Sequence, residues 1–272
     1  MDSSAENSKD TSKRASLSSL PLPASQPKSS GYAEYITTMV SKDHSDIPMI
    51  LCCLVSGLCD SSSYNAWSCF VSMQTGNTIF LALGAANLPV GHPYGWAKSL
   101  ISIVAFNLGC KFFATVFKKL DRLHLSLSFA FQATCILIAA ILVQTNVVPP
   151  AHTDSAGHIA NVNFLELIPL ILLAFQSGGQ IVTSRLLGLN EIPTTVLTSV
   201  YCDLFSDPNI LKKSNVKRDR RAGSVVFLLV GGLAGGWISR TAGLSVVFWI
   251  AGGIKALLSI AWMFWKEDRP LL

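Results

Sequence analysis

Residues 56–83, SGLCDSSSYNAWSCFVSMQTGNTIFLAL, decide how the rest of the chain is read. The stretch opens inside an apolar run, carries an acid at Asp60 and passes through Ser61, Ser62 and Ser63. It then reaches Gln74-Thr75-Gly76-Asn77-Thr78 before turning apolar again. Polar, helix-weakening residues set between two hydrophobic arms are the pattern of a broken membrane segment that lines a site.

Composition carries that reading outward. Of the 272 residues, 50% are hydrophobic and only 14% charged, against about 25% charged in soluble domains, and the mean hydropathy is +0.44. The missing charge is replaced by long apolar runs, so one polytopic domain fits better than two soluble ones. The net charge is +5. Most basic residues fall in the N-terminal tail and two short loops, a distribution that orients a membrane protein. No basic face interleaved with aromatics marks a nucleic-acid partner. Seven cysteines (Cys52, Cys53, Cys59, Cys69, Cys110, Cys135, Cys202) lie in or beside apolar segments, with no CxxC and no zinc-spaced Cys/His pair. They read as small buried hydrophobes, and neither a metal nor a cofactor is expected.

Residues 1–45 read as a disordered, Ser-rich cytoplasmic tail: ten of the first thirty are Ser, too few apolar residues remain for a core, and no signal-peptide h-region appears. The first span is therefore expected to act as signal anchor. Eight apolar segments follow, at 47–67, 69–88, 97–117, 124–145, 164–187, 192–205, 222–238 and 244–265. If all eight crossed from a cytoplasmic N-terminus, the Lys118/Lys119/Arg122 loop would lie outside and the Lys/Arg-free loop 146–163 inside, against the positive-inside rule. If the second and sixth enter and leave on one side, the 118–122 loop, the loop of Lys212, Lys213, Lys217, Arg218, Arg220 and Arg221, and Lys266/Arg269 all become cytoplasmic. Only Lys98 and Arg240 then stay outside. The expected fold is an all-α polytopic transmembrane bundle, 46–272, of six full spans plus two re-entrant segments. Both termini are expected in the cytoplasm, the bilayer is the partner, and the plasma membrane is the expected compartment.

This arrangement exposes an internal repeat with halves at about 47–145 and 164–265, inverted because each contributes three full spans. Gln180 follows Asp60 by 120 residues, as Thr195 follows Thr75 and Thr198 follows Thr78. Interrupted segments at matching places in two inverted halves point to a transporter's central site.

The same residues carry a family resemblance. Ser56-Gly57-Leu58-Cys59-Asp60 followed by Gln74-Thr75-Gly76-Asn77-Thr78 resembles the signature of the YoaK-like membrane proteins, the domain of unknown function 1275 family, with its Gly-x-x-Asp and Thr-Gly-Asn segments. Phe175-Gln176-Ser177-Gly178-Gly179-Gln180 resembles the family's Gly-x-Gln-Asn region, with Ile181 in place of Asn. Thr194-Thr195-Val196-Leu197-Thr198-Ser199 resembles its Thr-Thr-Val-x-Thr-Gly, with Ser199 in place of Gly. The long tail and Trp67-Ser68-Cys69-Phe70 are similar to fungal members. The resemblance covers roughly 45–266. It implies a membrane protein of about six helices and no established activity.

The candidate substrate- or ion-binding residues follow. Asp60 lies well inside the first span, where an acid is paired, wetted or functional; the alternative is a structural acid bonded to Ser61, Ser62, Ser63 or a freed backbone amide. Gln74, Thr75, Asn77 and Thr78 offer oxygen ligands, and Gly76 is expected to ease an unwound backbone; the alternative is a helix-packing motif. Gln180, Thr195 and Thr198 form the opposing wall. Lys255 sits too deep to snorkel; its candidate roles are a pair with Asp60 or a hold on a substrate carboxylate, and the alternative is a structural ion pair, since nothing in the sequence brings Asp60 and Lys255 together. Asn107 and Gln132 read as helix glue. No catalytic residue is expected, because no nucleophile–base pair marks the chain. The function expected is a secondary transporter of a small solute coupled to a proton or cation. A non-transporting scaffold or accessory protein is the other reading.

Overall fold

In a computed structural model the described residues are 31–88, 95–148 and 163–268. A short helix, α1 (Gly31–Ile36), comes first. The body of the molecule comprises α2 (Asp46–Trp67), α3 (Gln74–Ala85), α4 (Gly95–Val116), α5 (Arg122–Gln144), a 3₁₀ turn (Phe164–Glu166) leading into α6 (Leu167–Leu187), α7 (Thr198–Phe205), α8 (Val216–Thr241) and α9 (Leu244–Met263). Six of these, α2, α4, α5, α6 with its 3₁₀ turn, α8 and α9, are long and apolar enough to cross a membrane. The other two are not: 12 residues in α3 and 8 in α7 rise only about 18 and 12 Å, short of the ~30 Å hydrocarbon core. Among the described residues there is no strand. An all-α bundle of six spans and two short segments is what the charges and apolar runs predict.

The short segments are short for local reasons. α2 ends at Ser68 in the left-handed conformation, and α6 ends the same way at Gly188, so each chain turns back rather than continuing. Residues 68–73 then fold against the second half of α2, at Asp60, before α3 begins. After α6, the Ser184 hydroxyl donates to the carbonyls of Leu189 and Ile192, and Pro193 prevents a helix from resuming.

The spans assemble in pairs. α5 packs along α9, α2 along α8, and α4 along α6, while α3 lies on α4 and α7 on α8. Two of these pairs close through missing side chains. A Cβ on Gly57 would meet Leu228 O at 2.2 Å, and one on Gly231 would meet Leu54 O at 2.2 Å, so α2 and α8 touch backbone to backbone. Gly109 against Phe175 O and Gly178 against Phe106 O do the same for α4 and α6. α2 is the most enclosed span and α8 the least, with Leu229, Leu233 and Trp237 exposed toward lipid. The core forms two apolar clusters, one around Val55, Ile136, Leu170 and Phe248, the other around Met49, Phe129, Leu187 and Trp262.

One end of the bundle gathers the charged segments. Val40 N–H donates to Leu120 O, Ser41 N–H to Lys266 O and Arg122 N–H to Thr38 O, and Arg122 Nε donates to Trp265 O at 3.0 Å. The residues before α2, the 118–122 loop and the C-terminal segment therefore share one end. An eight-crossing chain would put the 118–122 loop opposite its N-terminus. Before α2 in the chain, α1 occupies Gly31–Ile36, and residues 38–41 are fixed because Val40 is buried and its backbone finds partners; residues 1–30 lie outside the described residues. α8 starts at Val216, six residues before the apolar run, because the Asn215 side chain accepts from Arg218 N–H and caps it.

Candidate functional site

Two polar clusters lie between α2 and α6, at different depths. The first is built on Asp60, in the second half of α2. Its Oδ1 accepts from Val71 N–H and Ser72 N–H, both at 2.8 Å, and its Oδ2 accepts from the Ser72 hydroxyl. The neighbouring serines do not share it. Ser61, Ser62 and Ser63 donate instead to the backbone carbonyls of Leu58, Gly235 and Asp60. The acid thus satisfies amides freed where the chain leaves helix, which a membrane interior demands.

Asn77, in the first turn of α3, clamps the same re-entrant loop from the other side. Its Oδ1 accepts from Phe70 N–H at 3.1 Å, and its Nδ2 donates to Phe70 O at 2.7 Å and Gln74 Oε1 at 2.8 Å. Gln74 Nε2 donates to Val71 O, and the Ser102 hydroxyl of α4 donates to Phe70 O. Ser177 of α6 also donates to Val71 O at 2.9 Å, tying the loop to the second half of the chain. Gly76 is helical, not unwound. Its missing Cβ makes room for the Phe70 ring, which would otherwise lie 2.9 Å away. Phe70 in turn stacks with Tyr64 and Phe80. Thr75 and Thr78 are exposed, and Thr78 bonds only its own helix.

The second cluster is built on Lys255 of α9, which is fully buried. Nζ donates to Gln132 Oε1 at 2.7 Å, Gln180 Oε1 at 2.8 Å and Cys52 Sγ at 3.4 Å, and it lies 5.0 Å from the Phe129 ring centroid. Gln180 Nε2 donates to the Ser56 hydroxyl. Among the described residues no carboxylate comes within 4.0 Å of Nζ, so the expected pairing of Lys255 with Asp60 is not formed. The reason is register. Lys255 meets α2 at Cys52, eight residues before Asp60, or about 12 Å along the helix.

A family match over residues 49–261 follows the same segments: it is to the family described as Protein of unknown function (DUF1275). The chain belongs to the DUF1275 family. No curated protein and no solved structure matches it.

In this DUF1275 protein the short helices of the two re-entrant segments pack on different spans. α3 lies on α4 and α7 on α8, whereas a central site between two interrupted segments would have 69–88 packed on 192–205. Their approach to the centre is made by the residues before each short helix, Val71 and Ser72 in one and the buried Thr194 and Thr195 in the other. The Thr195 hydroxyl donates to Pro193 O at 3.5 Å, and Thr198 is exposed. Asn107 bonds its own helix. Arg185 is exposed and bonds Asn190. Among the described residues no three His, Cys, Asp or Glu side chains gather as a metal set; His152, Asp154 and His158 lie outside them.

Sequence reasoning passed over several members of these clusters. Gln132 and Cys52 read as packing residues, yet both hold the Lys255 amine. Ser72, Ser102 and Ser177 drew no notice because serine in an apolar run is common. Lys98, an apparent exception to the positive-inside rule, is buried and paired with Glu166 at 2.5 Å. A lysine and an acid at the same expected end of two spans was a usable signal.

Proposed function

We propose that this membrane protein is a secondary transporter that carries a small solute and couples it to a proton or cation. The observation that carries the reading is Lys255, a cationic side chain buried among Gln132, Gln180 and Cys52 with no carboxylate within 4.0 Å among the described residues. Packing alone would favour an apolar residue there, since burying an uncompensated charge costs several kcal/mol, and ionisable groups inside a bundle mark ion and substrate pathways. The site also suits a change of protonation. Three acceptors match the three N–H groups of an ammonium, and the Cys52 thiol can donate to the lone pair of a neutral amine.

We infer with it an inverted repeat, which several of the helix contacts support. Exchanging the halves turns the α2–α8 pair into α6–α4, α3–α4 into α7–α8, and α5–α6 into α9–α2, and leaves α5–α9 as itself. Gly178 follows Gly57 by 121 residues and Gly231 follows Gly109 by 122, so the two glycine contacts correspond. The left-handed helix ends Ser68 and Gly188 stand 120 apart. Asp60 and Gln180 are likewise equivalent positions, one holding the re-entrant loop and the other holding Lys255. On this reading Gln74, Asn77, Gln180 and Lys255 exchange present bonds for bonds to solute, and access alternates as the halves rock. We infer from the positive-inside rule that the basic end faces the cytoplasm.

The complete bonding of Asp60 and Asn77 favours a second reading, a scaffold without transport. The two separate on one experiment. Purified protein is placed in liposomes holding a pH-sensitive dye, and pools of small metabolites are added outside. Solute-dependent proton movement in wild type, absent in Lys255→Met, supports the transporter. No movement with any pool, in protein that melts cooperatively, leaves the scaffold.

A further inference from the structure

Two ion pairs stand at opposite ends of the bundle in matching positions. Lys98, in the first turn of α4, pairs with Glu166 at the start of the sixth-helix segment at 2.5 Å, both side chains nearly inaccessible. Arg220, in the second turn of α8, pairs with Asp46 at the first residue of α2 at 3.1 Å, both partly accessible. Glu166 follows Asp46 by 120 residues and Arg220 follows Lys98 by 122, each within one residue of the offset that relates the corresponding glycines. Each pair ties the N-terminus of one half's entry span to the N-terminus of the other half's α4 or α8. Neither pair belongs to the clusters around Asp60 and Lys255. The route from Lys98 leads inward all the same: its Nζ donates to Trp67 O, and Ser102, one turn deeper, joins the Asn77 network.

We infer that Lys98–Glu166 and Arg220–Asp46 are the two gates of an alternating-access device, and that in the state described the Lys98–Glu166 gate is shut and the Arg220–Asp46 gate is the looser one. The inference rests on the transporter reading for its purpose, while its test needs no solute. A surface ion pair holds little, but a desolvated one cannot separate without rehydrating both charges, so it makes a discrete latch. Breaking one latch tips the halves toward opening on that side and closure on the other.

The protein carries its own reporters. Cys69 is buried just inside the Lys98 end, bonded to Asn77, and Cys53 is buried two turns inside the Asp46 end, bonded to Met49 O. On a Cys110→Ser/Cys202→Ser background in oriented proteoliposomes, a membrane-impermeant maleimide is applied from each side. Minor states commonly hold about 0.1–10% of a population, so Glu166→Gln is expected to raise Cys69 labelling about tenfold and lower Cys53 labelling. Asp46→Asn is expected to do the reverse. A complementary lock, Lys98→Cys/Glu166→Cys bridged by a short bifunctional thiol reagent, is expected to abolish Cys69 labelling and preserve or raise that of Cys53. Labelling that rises at both cysteines, or at neither, or a bridged protein that labels at Cys69 like wild type, overturns the gates. Reciprocal labelling without any solute movement keeps the gates and removes transport; solute movement without reciprocity removes the gates alone.

Discussion

Replacing Asp60 by alanine tests whether this acid holds the re-entrant loop. The carboxylate accepts two backbone amides at 2.8 Å and the Ser72 hydroxyl. Alanine leaves Val71 N–H and Ser72 N–H buried without partners, and each such orphan costs about 1–3 kcal/mol. The hydroxyl can rotate to another acceptor and adds less. The sum is about 2–6 kcal/mol, which for a domain of this size corresponds to a fall in melting temperature of roughly 5–20 °C. Asparagine keeps an acceptor oxygen where both amides converge, so Asp60→Asn should lose only about 1 kcal/mol. The assay is thermal unfolding in detergent for wild type and both variants, with hydrogen exchange followed at residues 68–73. Faster exchange confined to those residues is expected in the alanine variant. Equal losses in alanine and asparagine would show that charge, not acceptor geometry, holds the loop; an alanine variant as stable as wild type would refute the argument altogether.

Other consequences follow from the same geometry. Gly57→Ala places a methyl 2.2 Å from Leu228 O and should destabilise by about 1–3 kcal/mol through overpacking, whereas Gly236→Ala meets nothing within 4 Å and should stabilise α8 by up to about 1 kcal/mol; detergent melting curves compare them. Asp207 is held below its usual range by hydrogen bonds from Asn215 and from Asn209 N–H, with Arg221 nearby. A lowered carboxylate stabilises above its unfolded value and ceases to as pH falls through its folded one, so the 207–215 turn should stay intact at neutral pH and loosen only in acid below the ordinary aspartate range; Asp207→Asn should remove that dependence in proteolysis of the loop at graded pH. Lys255→Met should leave Gln132 and Gln180 oxygens unpaired, costing about 1–3 kcal/mol for each, and its melting temperature should fall even though methionine fills the space.

What the sequence makes legible here follows from how the bilayer constrains it. Spans of about 20 apolar residues must be helices, so six of the eight segments could be read directly, and the basic loops chose between six and eight crossings. That the second segment is interrupted was readable, but not where: Gln74–Thr78 reads as the unwound stretch, yet those residues begin a helix, and the turn falls at 68–73, where Asp60 and Asn77 take its freed amides. Side-chain direction was not readable. Thr75, Thr78 and Thr198 share their motifs with Asn77 and Thr195, yet a short helix turns one face outward every three to four residues, and nothing in spacing says which. The partners of Lys255 were hidden for a different reason. Gln132, Gln180 and Cys52 come from three helices, and only their packing brings three neutral groups to one amine. Lys98 shows the converse: an exception to the charge rule becomes a buried pair once Glu166 is beside it.

The central claim, that the buried polar clusters move a solute, is met most directly by an inventory of what the protein accumulates. Proteoliposomes carrying wild type or Lys255→Met are incubated with a broad metabolite pool, with and without an imposed proton gradient, and their contents are read by mass spectrometry. The account predicts one compound, or a few of one chemical class, concentrated by wild type under the gradient and lost both without it and in the variant. Identical contents in wild-type, variant and protein-free vesicles would contradict it.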